Sequence, residues 1–227
     1  MTVLGLVIGS ARESGPRDRN SAASAPAGAA ILARTAAAIS VARAYCVLQM
    51  IVTTSQGVAR IIIDDPGQAA ELVHNRAGGT MSESGVRKVP GPARRYQSRI
   101  VNFAAGTWSE TELTAGRAAP GAAAIETPYA AITAQLHHPL GAPGRAQPTD
   151  ARVTRDTTID GQRAYVLVLS GPGGPSATLW ISRSSGLPVQ SATPGVSVSY
   201  EWTAQRTISA ASLWPSVPAG LTRIPPA

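Results

Sequence analysis

The residue types that most often carry catalysis or bind metals are few and scattered in this chain. The three histidines are His74, His137 and His138, and the single cysteine is Cys46. A zinc site needs three or four ligands, whereas the adjacent His137 and His138 point to different faces of the helix predicted before them. Cys46 lies in a strand-like run without an evident histidine partner, which predicts a packed thiol. The sequence therefore predicts no metal site, no nucleophilic enzyme and no cofactor.

Two pairs of carboxylates have the residue type for acid–base chemistry. Asp64 and Asp65 precede Pro-Gly, which predicts a turn. Glu110 and Glu112 are two positions apart on a predicted strand, so they share one face, which we expect to contact water. We assign a catalytic role to neither pair, and we predict that the protein is not an enzyme.

Two glycine-containing segments resemble phosphate-binding loops only in part. Gly171-Pro-Gly-Gly-Pro175 is not followed by Lys-Ser or Lys-Thr, and its prolines remove backbone donors, which predicts a hairpin loop. Leu6-Val-Ile-Gly-Ser10 resembles the phosphate loop of flavodoxin-like FMN reductases. No alternating series of parallel strands and helices follows it, which argues against that fold.

The formal net charge of +7 is compatible with an anionic partner. Nineteen of the 20 basic residues are arginines, spread along a chain rich in Ala, Gly and Pro, a bias typical of GC-rich genomes that argues against nucleic acid. One basic cluster predicts either a solvated loop or contact with an anionic membrane surface or nucleic acid. Its members are Arg87, Lys88, Arg94, Arg95 and Arg99.

The first 27 residues differ in composition from the rest. Residues 1–10 are apolar but shorter than the ~20 residues that span a bilayer, and residues 11–27 read as a flexible linker. Residues 1–10 could form a simple strand, but the linker after them favours 1–27 as the remnant of a membrane or signal segment. One domain follows at 28–227. This interpretation predicts an exported or membrane-tethered protein of the cell envelope.

Hydrophobic periodicity predicts a helix at 26–43, a second helix from Thr127 to about Pro139, and many short strands. Turn residues separate eleven predicted strands: 45–54, 58–64, 70–76, 80–87, 96–103, 107–113, 152–160, 162–170, 176–182, 187–193 and 196–203. Val196, Val198, Tyr200 and Trp202 alternate with polar residues, as in a sheet with one wet face. The predicted fold class is α+β with a mostly antiparallel sheet.

Three segments resemble the lipoprotein-localisation (LolA-like) superfamily, including exported actinobacterial proteins related to RseB-like and LppX-like domains. Trp180-Ile-Ser-Arg-Ser-Ser-Gly-Leu-Pro-Val189 is similar to its strand–turn–strand motif, although Ser182 stands where an Asp is common. Leu213-Trp-Pro-Ser-Val-Pro-Ala-Gly-Leu221 is similar to the endings of such proteins, and Gln97–Leu113 to a hairpin that carries Trp at the place of Trp108.

The resemblance implies a curved, half-open antiparallel barrel with helices over its concave side. It also implies a non-catalytic envelope protein that carries a lipid or a lipoprotein acyl chain, or a sensor that contacts a regulatory protein. Inward-facing apolar and aromatic side chains could line a cavity or form plain core. The cavity candidates are Leu48, Met50, Val166, Val168, Leu179, Ile181, Val198, Tyr200 and Trp202.

Overall fold

The computed structural model describes residues 28–91, 95–114, 150–170, 177–204 and 209–225. Several predictions from the sequence lie outside these residues. They concern the amino-terminal segment 1–27, the second helix with His137 and His138, Arg94, and the loop at 171–175.

The described residues form one helix, one short 3-10 helix and twelve strands, and the eleven predicted strands are all present. Helix α1 is Gly28–Ala42 and the 3-10 helix is Ala210–Leu213. The strands are β1 Cys46–Thr54, β2 Gly57–Asp64, β3 Ala69–Arg76, β4 Gly79–Lys88, β5 Arg95–Asn102, β6 Thr107–Thr114, β7 Asp150–Ile159, β8 Gln162–Ser170, β9 Ala177–Ser182, β10 Pro188–Thr193, β11 Val196–Ala204 and β12 Thr222–Arg223.

All twelve strands belong to one sheet in the order β12-β6-β5-β4-β3-β2-β1-β11-β10-β9-β8-β7. Strands β1–β6 form one meander and β7–β11 form another. The antiparallel pairing of β1 with β11 joins the two meanders over nine residue pairs. Only β12 pairs in parallel, with the start of β6. The predicted α+β class with a mostly antiparallel sheet is therefore confirmed.

The turns between strands use the residues that the sequence predicts. Asp160 and Gly161 both have positive φ, at 47° and 78°, as the two central residues of a type I′ hairpin require. At the β2–β3 turn, Oδ1 of the buried Asp64 accepts a hydrogen bond from the backbone N–H of Gly67 at 2.9 Å. This carboxylate therefore stabilises a turn.

Helix α1 packs on one face of the sheet, which we call the helix face. Its apolar stripe includes Ile31, Leu32 and Ile39, which join the main hydrophobic core. At its carboxyl end, Arg43 Nε donates a hydrogen bond to Asp65 Oδ2 at 2.9 Å, which fixes the helix to the β2–β3 turn. No helix among the described residues reaches the length and apolar character needed to cross a membrane.

Residues 209–225, which we call the C-terminal strap, lie against the opposite face of β1–β6 at Leu213 and Pro215 and end in β12 at the edge of the sheet. Leu213 of the strap is buried against Val47, Ile62 and Ala69. Pro215 lies over Gly85, where a Cβ atom would come within 2.2 Å of Pro215 Cδ. We call this side the strap face.

Candidate functional site

Most of the predicted cavity residues lie together on the helix face. The pairing register places the odd-numbered residues of β9 and the even-numbered residues of β1 and β11 on this face. Six of these side chains are 0–7% exposed and belong to the main core, and Trp202 packs against that core. These seven residues are Leu48, Met50, Leu179, Ile181, Val198, Tyr200 and Trp202.

Val166 and Val168 lie on the other face of the sheet. Their neighbours Leu167 and Leu169 belong to the core beneath α1, and side chains alternate along a strand. Val166 pairs with Trp180 and Val168 with Thr178 across β9. A single cavity lined by all nine predicted residues is therefore incompatible with the register.

Polar groups anchor the aromatic residues of the helix face. The hydroxyl oxygens of Tyr200 and Ser191 are 2.8 Å apart in a buried hydrogen bond. Burial raises the pKa of Tyr200, and the hydrogen bond with Ser191 acts in the opposite direction. Trp202 Nε1 donates a hydrogen bond to the Pro188 carbonyl at 2.9 Å. These contacts hold both rings in fixed positions within the wall of the core.

The helix face continues past this core as an apolar ledge of four partly exposed side chains. Ile61 pairs with Leu72, Leu72 with Ser84, and Ser84 with Ile100, so one row crosses strands β2 to β5. Ile100 keeps 50% of its surface exposed. The members of the apolar ledge are Val52, Ile61, Leu72 and Ile100.

An open groove of about 510 Å³ begins at the same end of the helix face. Val52 belongs to both the ledge and the groove, and Ala59, His74 and Met81 contribute further walls. Grooves of roughly 300–1,000 Å³ with mainly apolar linings are typical of small-molecule sites. The ledge and this groove together form the candidate ligand site.

A second open groove, of about 1000 Å³, has a mixed lining. It extends from the β7–β8 turn, which contributes Asp160, to Gln49, Glu201 and Trp202 on the central strands. Gln49 Nε2 donates a hydrogen bond to Glu201 Oε2 at 3.0 Å. The charged side chains that line this groove, Asp160 and Glu201, are both acidic.

The predicted basic cluster is largely engaged with the protein itself. Arg99 donates from Nε and Nη2 to Glu110 Oε2 at 3.0 and 2.7 Å, and from Nη1 to the Pro215 carbonyl at 2.9 Å. Arg95 pairs with Glu112 at 2.9 Å. Contact with an anionic surface through this cluster stays a prediction.

The same contacts give the two glutamates of β6 a structural role. Glu110 and Glu112 share a face, as expected, but this is the strap face, and the Glu110 side chain is only 26% exposed. Glu110 still contacts water, but less than Glu112 does, because the Arg99 guanidinium lies against its carboxylate. On the same face, burial raises the pKa of Glu71, while the Arg60 guanidinium lowers it and Glu83 raises it.

Sequence reasoning missed the strap as a structural element. The Trp214 ring centroid lies 4.1 Å from Cζ of Arg87 and 4.6 Å from Cζ of Arg99. The signal in the sequence was Leu-Trp-Pro at 213–215, an apolar and aromatic group whose size requires a covered site. Gly85 in the middle of β4 was a second signal, since an interior strand glycine often marks close approach of another backbone.

The described residues define an α+β domain with one mostly antiparallel sheet, a helix on one face and a carboxyl-terminal strap on the other. No protein-family model and no curated protein matches the sequence. Solved structures do match: an uncharacterized conserved protein from Thermus thermophilus aligns with 11% identity and a TM-score of 0.44, over 87% of this chain and 98% of that one.

Further matches are to named proteins. LprF from Mycobacterium bovis aligns with 13% identity and a TM-score of 0.42, over 86% of this chain and 97% of that one. The MucA/MucB complex of Pseudomonas aeruginosa gives 14% identity and a TM-score of 0.38, over 83% of this chain and 61% of that one. A lipoprotein-sorting protein domain from Vibrio parahaemolyticus gives 8% identity and a TM-score of 0.29, over 80% of this chain and 97% of that one. Because these TM-scores are below 0.5, the functional proposals rest on this chain's own residues.

Proposed function

We propose that this protein is a non-catalytic cell-envelope protein that binds an apolar ligand, a lipid or an acyl chain, on the helix face of its sheet. The observation that supports this proposal is the apolar ledge beside a groove of about 510 Å³. Covering such a surface with methylene groups contributes about 0.8 kcal/mol for each buried methylene. The exported or membrane-tethered location predicted from residues 1–27 is part of the same proposal.

The proposal places the ligand on the ledge rather than in the core beneath α1. Leu48, Leu167 and Leu179 are at most 2% exposed, so that part of the helix face is already filled. Ile61 and Leu72 keep exposed surface and pair across β2 and β3. An acyl chain lying along the row from Ile61 to Ile100 would cross three strand spacings, or about 14 Å.

Native mass spectrometry of protein purified from its own host tests the proposal. A bound mass that organic solvent releases, and that is identified as a lipid, would support it. Protein that carries no such mass and takes up no pyrene-labelled long-chain fatty acid would contradict it.

A matched pair of variants tests where the ligand lies. Ile100→Glu adds a charge to the ledge at a half-exposed position, and we expect it to weaken fatty-acid binding roughly tenfold, which corresponds to about 1.4 kcal/mol. Val41→Glu is the control, because Val41 is 63% exposed on the outer side of α1. Equal weakening by the two variants would remove the ledge as the site.

A second candidate function is an envelope sensor or structural module that acts through contact with a regulatory protein. The mixed groove of about 1000 Å³ favours it, because hydrogen-bonding groups and the carboxylates of Asp160 and Glu201 suit a basic peptide segment. In this case Asp160→Asn with Glu201→Gln should weaken binding of a lysine-containing amphipathic peptide, and Ile100→Glu should not. Retained peptide binding by the double variant would remove this candidate.

A further inference from the structure

The helix face of strand β3 changes from apolar to cationic where it passes from the core to the groove of about 510 Å³. Every second side chain of the strand lies on this face, because side chains alternate along a strand. In this series Ala70 is 6% exposed in the main core and Leu72 is a half-buried member of the apolar ledge. His74 and Arg76 follow, and both are exposed and line the groove. An apolar surface and a basic surface therefore adjoin along one strand.

The Arg76 side chain lies at the end of the groove that is farther from the core. Its stem runs beside the β1–β2 turn, where a Cβ atom added to Gly57 would lie 3.4 Å from Arg76 Cγ. Leu72 and Arg76 are four residues apart on an extended strand, so about 13 Å separates their Cα atoms. A ligand whose apolar part covers the ledge can therefore bring a polar end to Arg76.

The basic side chains of the groove have no anionic partner among the described residues. The residues that line the groove include neither Asp nor Glu. Within the described ranges, neither Arg76 nor His74 forms an ion pair or a side-chain hydrogen bond. The side chain of Asn75, in the same lining, instead accepts a hydrogen bond from Thr80 Oγ1 at 3.0 Å. Arg76 and His74 thus keep N–H donors that a ligand can use.

We propose that the ligand of the ledge is a fatty acid, whose acyl chain covers the ledge and whose carboxylate binds Arg76, with His74 as a second donor. A guanidinium presents parallel N–H groups that match the two oxygens of a carboxylate. An alcohol of the same chain length lacks this charge-assisted contact. The inference rests on the proposed function and narrows it from an apolar ligand to an anionic amphiphile.

Calorimetric titration of the full chain with decanoate and with 1-decanol tests the contact with the carboxylate. The ratio of decanoate affinity to 1-decanol affinity should fall about two- to fivefold from the wild type to Arg76→Gln, the effect of one exposed ion pair. Arg76→Lys keeps the positive charge and should retain part of the ratio. Arg163→Gln is the matched control, because it removes the same charge at an exposed position of β8 outside the groove, and it should leave the ratio unchanged.

The two probes separate this inference from the proposed function. Wild-type protein that binds neither probe would contradict both. If both probes bind, but Arg76→Gln lowers the affinity ratio no more than Arg163→Gln does, the carboxylate contact is overturned and the apolar site remains. A fall in the ratio that is confined to the Arg76 variant would support the fatty acid as the ligand class.

Discussion

The ring centroid of Trp214 lies 4.1 Å from Cζ of Arg87. Arg99 approaches the same ring at 4.6 Å, so one strap residue contacts two cations of the strap face. Such contacts stabilise by about 0.5–1 kcal/mol each when exposed and more when desolvated. Gln97 accepts two hydrogen bonds from Arg87, at 3.2 and 2.9 Å. The Glu110 carboxylate pairs with Arg99 and offsets the positive charge of that guanidinium. Arginines that look like an anion-binding cluster in the sequence therefore hold the strap in place.

Leu213→Ala should destabilise the protein by about 2–5 kcal/mol, because it removes a side chain that is 2% exposed and leaves a cavity. Urea denaturation measures the loss. Val217→Ala, a half-buried position of the same strap, is the control and should change the free energy of unfolding much less. Similar losses in the two variants would mean that Leu213 does not anchor the strap.

Gly85→Ala should displace the strap, because the added Cβ would lie 2.2 Å from Pro215 Cδ and 3.0 Å from the Leu213 carbonyl oxygen. We expect a cost of about 1–3 kcal/mol, as for other overpacked sites. Thermal unfolding and proteolysis of the carboxyl terminus measure it. Adding Pro215→Ala should recover part of the loss, and Ser84→Ala is the matched control on the other face. Wild-type stability in Gly85→Ala would contradict the close approach of the strap.

Glu71→Gln should increase stability at neutral pH. Burial raises the pKa of Glu71 above its ordinary value of 4.5, so ionised Glu71 is less favourable in the folded chain than in the unfolded chain. The folded state therefore gains stability as pH falls through the raised pKa, and the advantage of glutamine should disappear below about pH 4.5. Denaturation curves across this pH range measure the difference. Glu112→Gln, at an exposed ion pair, is the control. A Glu71→Gln variant that is less stable at pH 7 would contradict the direction of the pKa shift.

Tyr200 should ionise above the ordinary tyrosine pKa of about 10. Burial favours the neutral phenol, so this residue contributes stability that is present below pH ~10 and is lost as pH rises through its folded-state pKa. The phenolate absorbance missing from Tyr200→Phe identifies its titration. Ser191→Ala should raise the pKa of Tyr200 further, because it removes the hydrogen bond of 2.8 Å, whereas Ser199→Ala should not. Ionisation of Tyr200 at or below pH 10 would refute this assignment.

Local sequence patterns predicted most of the strands because each hairpin is set by nearby residues. Predicted strand 162–170 matches Gln162–Ser170, and the Asp160-Gly161 turn before it has the two positive φ values of a type I′ hairpin. The alternation of Val198, Tyr200 and Trp202 with polar residues also predicted correctly that these three side chains share one face of the sheet.

The faces of β8 and the long-range contacts could not be predicted in this way. Residues 164–169 are all apolar, as is typical of a strand that is buried on both faces. Alternation of apolar and polar residues along β8 therefore could not show that Val166 and Val168 turn away from α1. The β1–β11 partnership joins residues such as Gln49 and Glu201, which are 152 positions apart. No local pattern encodes that choice of partner, nor the path of the strap.

The β1–β11 junction also sets the order of events when the chain is made. A ribosome adds about 5–20 residues per second, so β11 emerges roughly 8–30 s after β1. During that interval β1 can pair with β2, but its other edge has no native partner. Closing so long a loop is slow, and an unpaired edge strand promotes association with other chains. A chaperone that shields nascent chains should therefore raise the yield of this protein most during that interval, before the second meander has emerged.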